Sequence, residues 1–359
     1  MKKINYLDSL RGIAIIGVVM IHVSLYGKVP LPNFLNALVS KGMRGVQLFF
    51  MVSAFTLYLS YNYHITHEKN HLKNFYLRRF FRIAPMYFIG IIYYLFQDGL
   101  GERYYLGDQD CITKYNILSN FTFIHGFNPY WINSVVPGGW SIAIEMTFYL
   151  IFPLIFHKIK SLNNAFKLFF FSMISSLLLA FIFHKFQLIP SKELWSEYLV
   201  FYFPSQFPVF SIGIVAYFLV IEKQKINSIS PIYLIFFIVM LLLQLGYGNY
   251  LFFSNHILFS LAFLGAIVMI SKVNFTLFVN PITNFIGKLS FSLYLVHFAV
   301  LHWLEKWDLV NYFNKSMTDY FIRLLLTIVL SVLISFCLYK LIEQPFIRIG
   351  KRIISKFEN

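Results

Sequence analysis

The chain has 359 residues, 58% of them hydrophobic and only 13% charged, against about 25% charged in ordinary soluble domains. A soluble fold of this length could not hide so much apolar surface in one core, which leaves an all-α polytopic membrane protein. The net charge of +15 does not point to nucleic acid, because the basic residues cluster between hydrophobic stretches in the positive-inside pattern.

Long apolar runs predict about ten transmembrane helices, at roughly 7–27, 42–62, 80–97, 140–157, 166–185, 198–221, 231–246, 251–270, 284–304 and 320–342. The first follows Met1-Lys2-Lys3, which looks like the start of a signal peptide. Asp8 and Arg11 interrupt its apolar run and no small-residue cleavage site follows, so the helix is expected to be retained. Arg11 and His22 stand eleven residues apart, three turns plus about 20°, and so share a helix face about 16 Å apart along the axis. A central arginine costs about 2.5–3.5 kcal/mol on insertion scales and marks a functional site by default. The alternative is an arginine snorkelling to the headgroups beside a histidine satisfied between packed helices.

Arg44, Gln47 and Ser53 make the second helix mildly polar, as the lining of a cavity would be. His64, His67 and His71 follow it without acidic or thiol partners and read as a solvated loop; no metal is expected. The connection 63–82 carries Lys69, Lys73, Arg78, Arg79 and Arg82 against Glu68 alone. Arg79 and Arg82, at i and i+3, are expected at the start of the third helix. Such a fork suits phosphate or pyrophosphate, or else serves as a topology signal that touches lipid phosphates.

In the connection 98–139, Asp98, Glu102, Asp108 and Asp110 outnumber Arg103 and Lys114, which places it outside. It is too long for a structureless link and is expected to fold over the outer mouth, anchored by Tyr130 and Trp131. The fourth helix sets Ser141, Glu145 and Tyr149 on one face. Glu145, about 8 Å inside the span, should not face lipid; it is either functional or the partner of a structural cation. Ser290, Tyr294 and His297 likewise share a face of the ninth helix, where His297 is a functional group or a satisfied core histidine. Proline stops helices, so Glu343-Gln-Pro345 is expected to close the last span. The tail beyond it carries Arg348, Lys351, Arg352 and Lys356.

An even number of spans and this charge bias put both termini in the cytoplasm. Residues 1–345 form a transmembrane domain and 346–359 a basic cytoplasmic tail. Cys111 and Cys337 are expected near opposite membrane faces, too far apart to pair. His22, Glu145 and His297 all fall about 20–22 Å from the cytoplasmic side of a core about 30 Å thick. They form one ionisable layer in the outer half, above a cationic layer of arginines at the inner face. A histidine kept from water is neutral and able to accept a proton, which suits His22 to general-base work.

Leu7-Asp8-x-Leu10-Arg11-Gly12 with His22 resembles the opening helix of the membrane acyltransferase-3 family. Gly45-Val-Gln-Leu-Phe49-Phe50-Met-Val-Ser53-Ala-Phe55 resembles its second helix, with Ala54 where glycine is usual. Arg79-x-x-Arg82 resembles the family's cytoplasmic arginine motif, and Trp140-Ser141 with Glu145, Phe148, Tyr149 and Pro153 its fourth helix. The stretch from Ser290 through Tyr294 to His297 and the ending Glu343-x-Pro345 match as well, in order along nearly the whole chain.

The resemblance implies an O-acyltransferase of the bacterial cytoplasmic (inner) membrane. Such an enzyme moves an acyl group, usually acetyl from acetyl-CoA, to a hydroxyl of a lipid-linked or polymeric surface glycan such as O-antigen, capsule or exopolysaccharide. Membrane lipid and glycan-assembly proteins are the further partners expected. Arg79 and Arg82 would bind the donor's phosphates, and Arg11 would hold part of the donor or line its path. His22 would act as base, with Glu145 or His297 orienting it or polarising the acceptor. Direct transfer is the simplest course; an acyl relay on Tyr294, Ser53 or a histidine is the other. Some relatives add an extracytoplasmic hydrolase-like domain, so here either the helices perform the whole transfer or a separate partner completes it. Two competing classes are a glycan or small-anion transporter, since buried His and Glu also build proton relays, and a subunit of a glycan-export complex.

Overall fold

The computed structural model describes residues 4–223, 254–273, 275–313 and 316–358. Among them no strand occurs, and nine helical segments are long and apolar enough to cross a membrane. This is the architecture of a polytopic membrane protein. Nine of the ten predicted spans have a counterpart; the tenth, 231–246, lies outside the described residues.

Helix α1 (Asn5–Leu25) packs most closely along α11 (Pro281–Lys306). The two run parallel: the Asn284 amide donates to the Asn5 carbonyl at one end (2.9 Å), and His22 meets His297 toward the other (3.0 Å). Their crossing admits no side chain. A Cβ on Gly287 would overlap the Asp8 carbonyl oxygen, and one on Gly12 would overlap that of Thr283. Small residues at such a seam let two backbones touch, the usual device for holding helices together in lipid. Gly12 therefore sets the spacing that brings His22 against α11.

A short helix α2 (Asn33–Ser40) and a 3₁₀ turn lead into α3 (Gly45–His64), which runs antiparallel to α1. Helix α4 (His71–Asp98) begins nine residues before the predicted span at 80. Its first turns are polar but helical. Phe75 is buried against Tyr61 and Phe152, and Glu358 accepts from the backbone amides of Lys69 and Asn70. Hydropathy marks where a helix enters lipid, not where it starts. Arg79 and Arg82 are thus about 12 and 16 Å into α4, not at its start. The loop before it also differs from expectation. His64 pairs with Glu68 at 2.7 Å, and Arg78 bridges the same carboxylate at 2.7 Å, so His64 does have an acidic partner.

The segment between α4 and α6 (Gly139–Lys158) is folded, with a helix α5 (Lys114–Phe121) and two 3₁₀ turns. Its first part, 99–115, is mostly exposed, and its later part, 116–138, is largely buried within the protein. Arg103 donates to the carbonyls of Gly99, Ser134 and Val135 (2.7–2.9 Å). His125 donates to the Gly139 carbonyl (3.1 Å), and Tyr87 to the Asn120 side chain (2.9 Å). Irregular backbone survives at membrane depth only with its polar groups satisfied inside the protein, and these bonds satisfy them. Tyr130 packs instead beside the small apolar cluster around Leu194 and Trp195. Helix α6 therefore starts beside Tyr87 and Tyr294, about 24 and 20 Å into α4 and α11.

Helix α9 (Phe203–Val220) packs on α3 and α6, and α7 (Leu162–Lys185), α8 (Lys192–Phe201) and α10 (Asn255–Lys272) pack on α9. Helix α12 (Met317–Leu338) packs on α11 and α1. Pro345 does not end it. A π-helical turn at Tyr339–Glu343 leads straight into α13 (Gln344–Glu358), which packs on α4. Pro345 is the second residue of α13, directly after that turn.

Candidate active site

Five helices converge on one polar cavity, of about 680 Å³ including its mouth. Helix α1 contributes Arg11, α3 Ser53 and Thr56, α4 Arg79 and Arg82, α6 Ser141, Glu145 and Tyr149, and α11 Ser290 and Tyr294. A larger groove between α4, α11 and α12 is lined by Tyr93, Trp303, Trp307 and aliphatic side chains, with no acidic, basic or histidine residue. It suits lipid tails, whereas the ionisable side chains line the polar cavity.

The arginines line one part of it. Arg11 pairs with Asp8 and donates to Thr56, each at 3.1 Å, so α1 and α3 aim it. Arg79 lies over the rings of Phe75 and Tyr149, and its Nε has no hydrogen-bond partner among the described residues. Neither Arg79 nor Arg82 makes an ion pair among those residues. Guanidiniums turned into a cavity without carboxylate partners are suited to bind an anion.

Glu145 sits at the same level. Its Oε1 accepts from Ser53 (2.6 Å) and Tyr149 (2.5 Å). The single layer expected of His22, Glu145 and His297 therefore divides. That reading started α6 at the membrane surface, whereas the helix starts at the level of Tyr294 and carries Glu145 about 9 Å further toward the arginines.

Tyr294 closes the other end of the cavity. Its hydroxyl donates to the Gly138 carbonyl (3.0 Å) and accepts from Ser141 (2.9 Å). Gly138 has φ +77°, and a Cβ there would lie 2.6 Å from the Tyr294 oxygen. Only glycine meets both demands. Behind Tyr294, with ring centroids 5.9 Å apart, lies His297, fully buried. Its Nε2 is 3.0 Å from Nδ1 of His22, and the two rings stack. The imidazoles thus face each other; the cavity itself stops at the tyrosine.

Two supports escape a sequence reading. Arg323, wholly buried in α12, donates to the carbonyls of Val23 (3.2 Å) and Val310 (2.5 Å). Tyr320 donates to the Met20 carbonyl at 3.3 Å. Together they brace the end of α1 that carries His22. The rule that singled out Arg11, an arginine inside an apolar span, applies equally to Arg323. Glu343, held by the π turn, accepts from Ser292. Among the described residues no group of three His, Cys, Asp or Glu side chains could hold a metal ion.

Fold and site together define a polytopic membrane protein with a polar, arginine-lined chamber inside its helical bundle. A family model described as "Acyltransferase domain" matches residues 4–340, and the chain belongs to that family. It is 26% identical to the Staphylococcus aureus (strain COL) protein named "Putative O-acetyltransferase", over 99% of this chain and 59% of that protein. It is 33% identical to the "Peptidoglycan O-acetyltransferase OatA" of Listeria monocytogenes, over 42% of this chain and 24% of the relative. With the "O-acetyltransferase OatA" of Staphylococcus aureus (strain NCTC 8325 / PS 47) it shares 32% identity, over 47% of this chain and 28% of the relative. The chain thus spans about 59% of the length of the first of these relatives. No solved structure matches it.

Proposed function

We propose that this protein is a membrane O-acyltransferase that moves an acyl group, acetyl in the first instance, from acyl-CoA to a hydroxyl of a bacterial surface glycan. The observation that carries this reading is the chamber that joins three guanidiniums to the Tyr294 hydroxyl, with the imidazole pair directly behind it. Family membership supports the reaction class, and the name of the Listeria relative puts peptidoglycan beside O-antigen, capsule and exopolysaccharide among the candidate acceptors. The protein would work in the cytoplasmic membrane, with the arginine side of the chamber toward the cytoplasm.

Arg79 and Arg82, with Arg11 beside them, would hold the donor's phosphates; their open donor groups fit such a ligand. His22 would take the proton of the attacking hydroxyl. The O–acyl bond forms, the thioester C–S bond breaks with its electron pair on sulfur, and the proton passes from His22 to the thiolate. Tyr294 stands between donor and base, so it must turn aside or take part in the transfer. Glu145 holds Ser53 and Tyr149 on the donor side and would shape that pocket. Membranes given labelled acetyl-CoA should place label in glycan, and His22→Ala should abolish this. Wild-type labelling by His22→Ala would remove the histidine from the chemistry. Substrate movement without label would instead favour a transporter.

A further inference from the structure

We propose that His22 and His297 form a dyad of fixed tautomers. In it His297 is a positioning residue, and Nε2 of His22 is the atom that takes the acceptor's proton. This rests on the reading of His22 as the base and goes beyond it by naming the reacting nitrogen and what selects it.

The argument starts from one carbonyl. Nδ1 of His297 lies 3.1 Å from the Leu293 oxygen, four residues back on α11. A carbonyl oxygen only accepts, so Nδ1 carries the hydrogen and donates. His297 is completely buried and its hydrogen-bond partners include no carboxylate, so the uncompensated imidazolium is disfavoured and the ring holds one hydrogen. Its Nε2 is therefore a lone pair. Nδ1 of His22 is 3.0 Å from that lone pair, and two lone pairs cannot bond. The hydrogen between them belongs to His22 Nδ1, which donates. A neutral His22 then has its own lone pair on Nε2. That nitrogen makes no hydrogen bond among the described residues and keeps its lone pair for a hydroxyl that passes Tyr294.

Packing holds the pair in this arrangement. Phe298 contacts both rings, with centroids 4.4 Å from His22 and 4.1 Å from His297. Tyr294 packs on the other side of His297. Tyr320 and Arg323 fix the carbonyls of Met20 and Val23, on either side of His22. When His22 Nε2 takes the hydroxyl proton, the positive charge is met at Nδ1 by the His297 lone pair, itself polarised by the Leu293 carbonyl. A carboxylate serves this purpose in the Ser-His-Asp arrangement; a neutral imidazole does it here without burying an anion in the bundle.

The test compares three side chains at position 297. In His297→Gln the amide oxygen reaches the place of Nε2 and accepts from His22. In His297→Asn it falls one methylene short, and His297→Leu offers no acceptor. With acetyl-CoA and glycan as substrates, the glutamine variant should keep kcat within about tenfold of wild type. The asparagine and leucine variants should lose about 100-fold or more, the scale of a general-base contribution. KM for acetyl-CoA should change little in all three, and coenzyme A binding by each purified variant shows that it is folded. A leucine variant with wild-type kcat, or glutamine and leucine variants that fall equally while binding coenzyme A, would overturn the dyad. His22→Ala distinguishes the two levels: if it stays active, the base assignment fails; if it is inactive while His297→Leu is unaffected, only the dyad fails.

Discussion

Replacing Arg79 and Arg82 together by glutamine should weaken binding far more than stability. A hydrogen bond to a charged partner contributes about 1.5–3 kcal/mol net. At about 1.4 kcal/mol per decade, each lost guanidinium should raise the dissociation constant for coenzyme A by about 10- to 150-fold. The pair together should cost about 10²- to 10⁴-fold if their contributions add. Stability without ligand should change little. The guanidiniums of Arg11, Arg79 and Arg82 share one cavity and repel one another, but Glu145 attracts Arg11 and Arg79, and Arg82 attracts Glu343. The substitutions relieve the repulsion and give up the attraction, while Glu145 keeps Ser53 and Tyr149 and Glu343 keeps Ser292. The melting midpoint of the unliganded variant should therefore stay close to wild type. Calorimetric titration of coenzyme A into detergent-purified protein measures the first effect and a thermal scan the second. Unchanged affinity, or a steep fall in the midpoint, would show that these arginines hold helices together and not phosphates.

Two further substitutions probe the frame around the chamber. Gly287→Val puts a side chain onto the Asp8 carbonyl, where backbone faces backbone and neither can swing away. Overpacking of this kind costs about 1–3 kcal/mol and should shift α1 against α11. Transfer activity should fall further than the melting midpoint implies, because the same shift separates His22 from His297; full activity would mean the seam does not set that spacing. Glu68 lies in the loop before α4. Partial burial works against its charge, but hydrogen bonds from Arg78 and Asn74 prevail and hold the carboxyl below the usual carboxylate range. A depressed carboxylate stabilises the fold above its unfolded value, about 4.3, and that share is lost as pH falls through the folded value. Glu68→Gln should thus be destabilised near neutral pH and converge on wild type in acid, as thermal scans across pH would show; a gap that does not vary with pH contradicts the assignment.

The membrane class, nine of the spans and the alignment of Arg11 with His22 were legible because they depend on hydropathy and helical period alone. The polar face of Ser141, Glu145 and Tyr149 was legible for the same reason. Depth was not. Placing Glu145 requires knowing that residues 116–138 pack into the bundle, which rests on long-range bonds from Arg103, His125 and Tyr87 that no local pattern encodes. The start of α4 was misplaced because polar residues there are helical through contact with the end of α13. Pro345 misled because a π turn, invisible to pattern, carries the helix past it. The meeting of His22 and His297 depends on the register of two helices 275 residues apart in sequence, which Gly12 and Gly287 set by close approach.

The π turn at Tyr339–Glu343 has one more implication. It adds a residue to an otherwise regular helix, a rotation of about 100° for everything beyond it. Two faces are indexed by that single residue: the one that offers Glu343 to Ser292, and the one that lays Gly350 and Ile354 against α4 while Lys351, Arg352 and Lys356 stay exposed. Length in this short stretch therefore counts for more than chemistry. A conservative exchange within it leaves both faces aimed, whereas deletion of one residue would turn them together and uncouple the basic helix from the chamber.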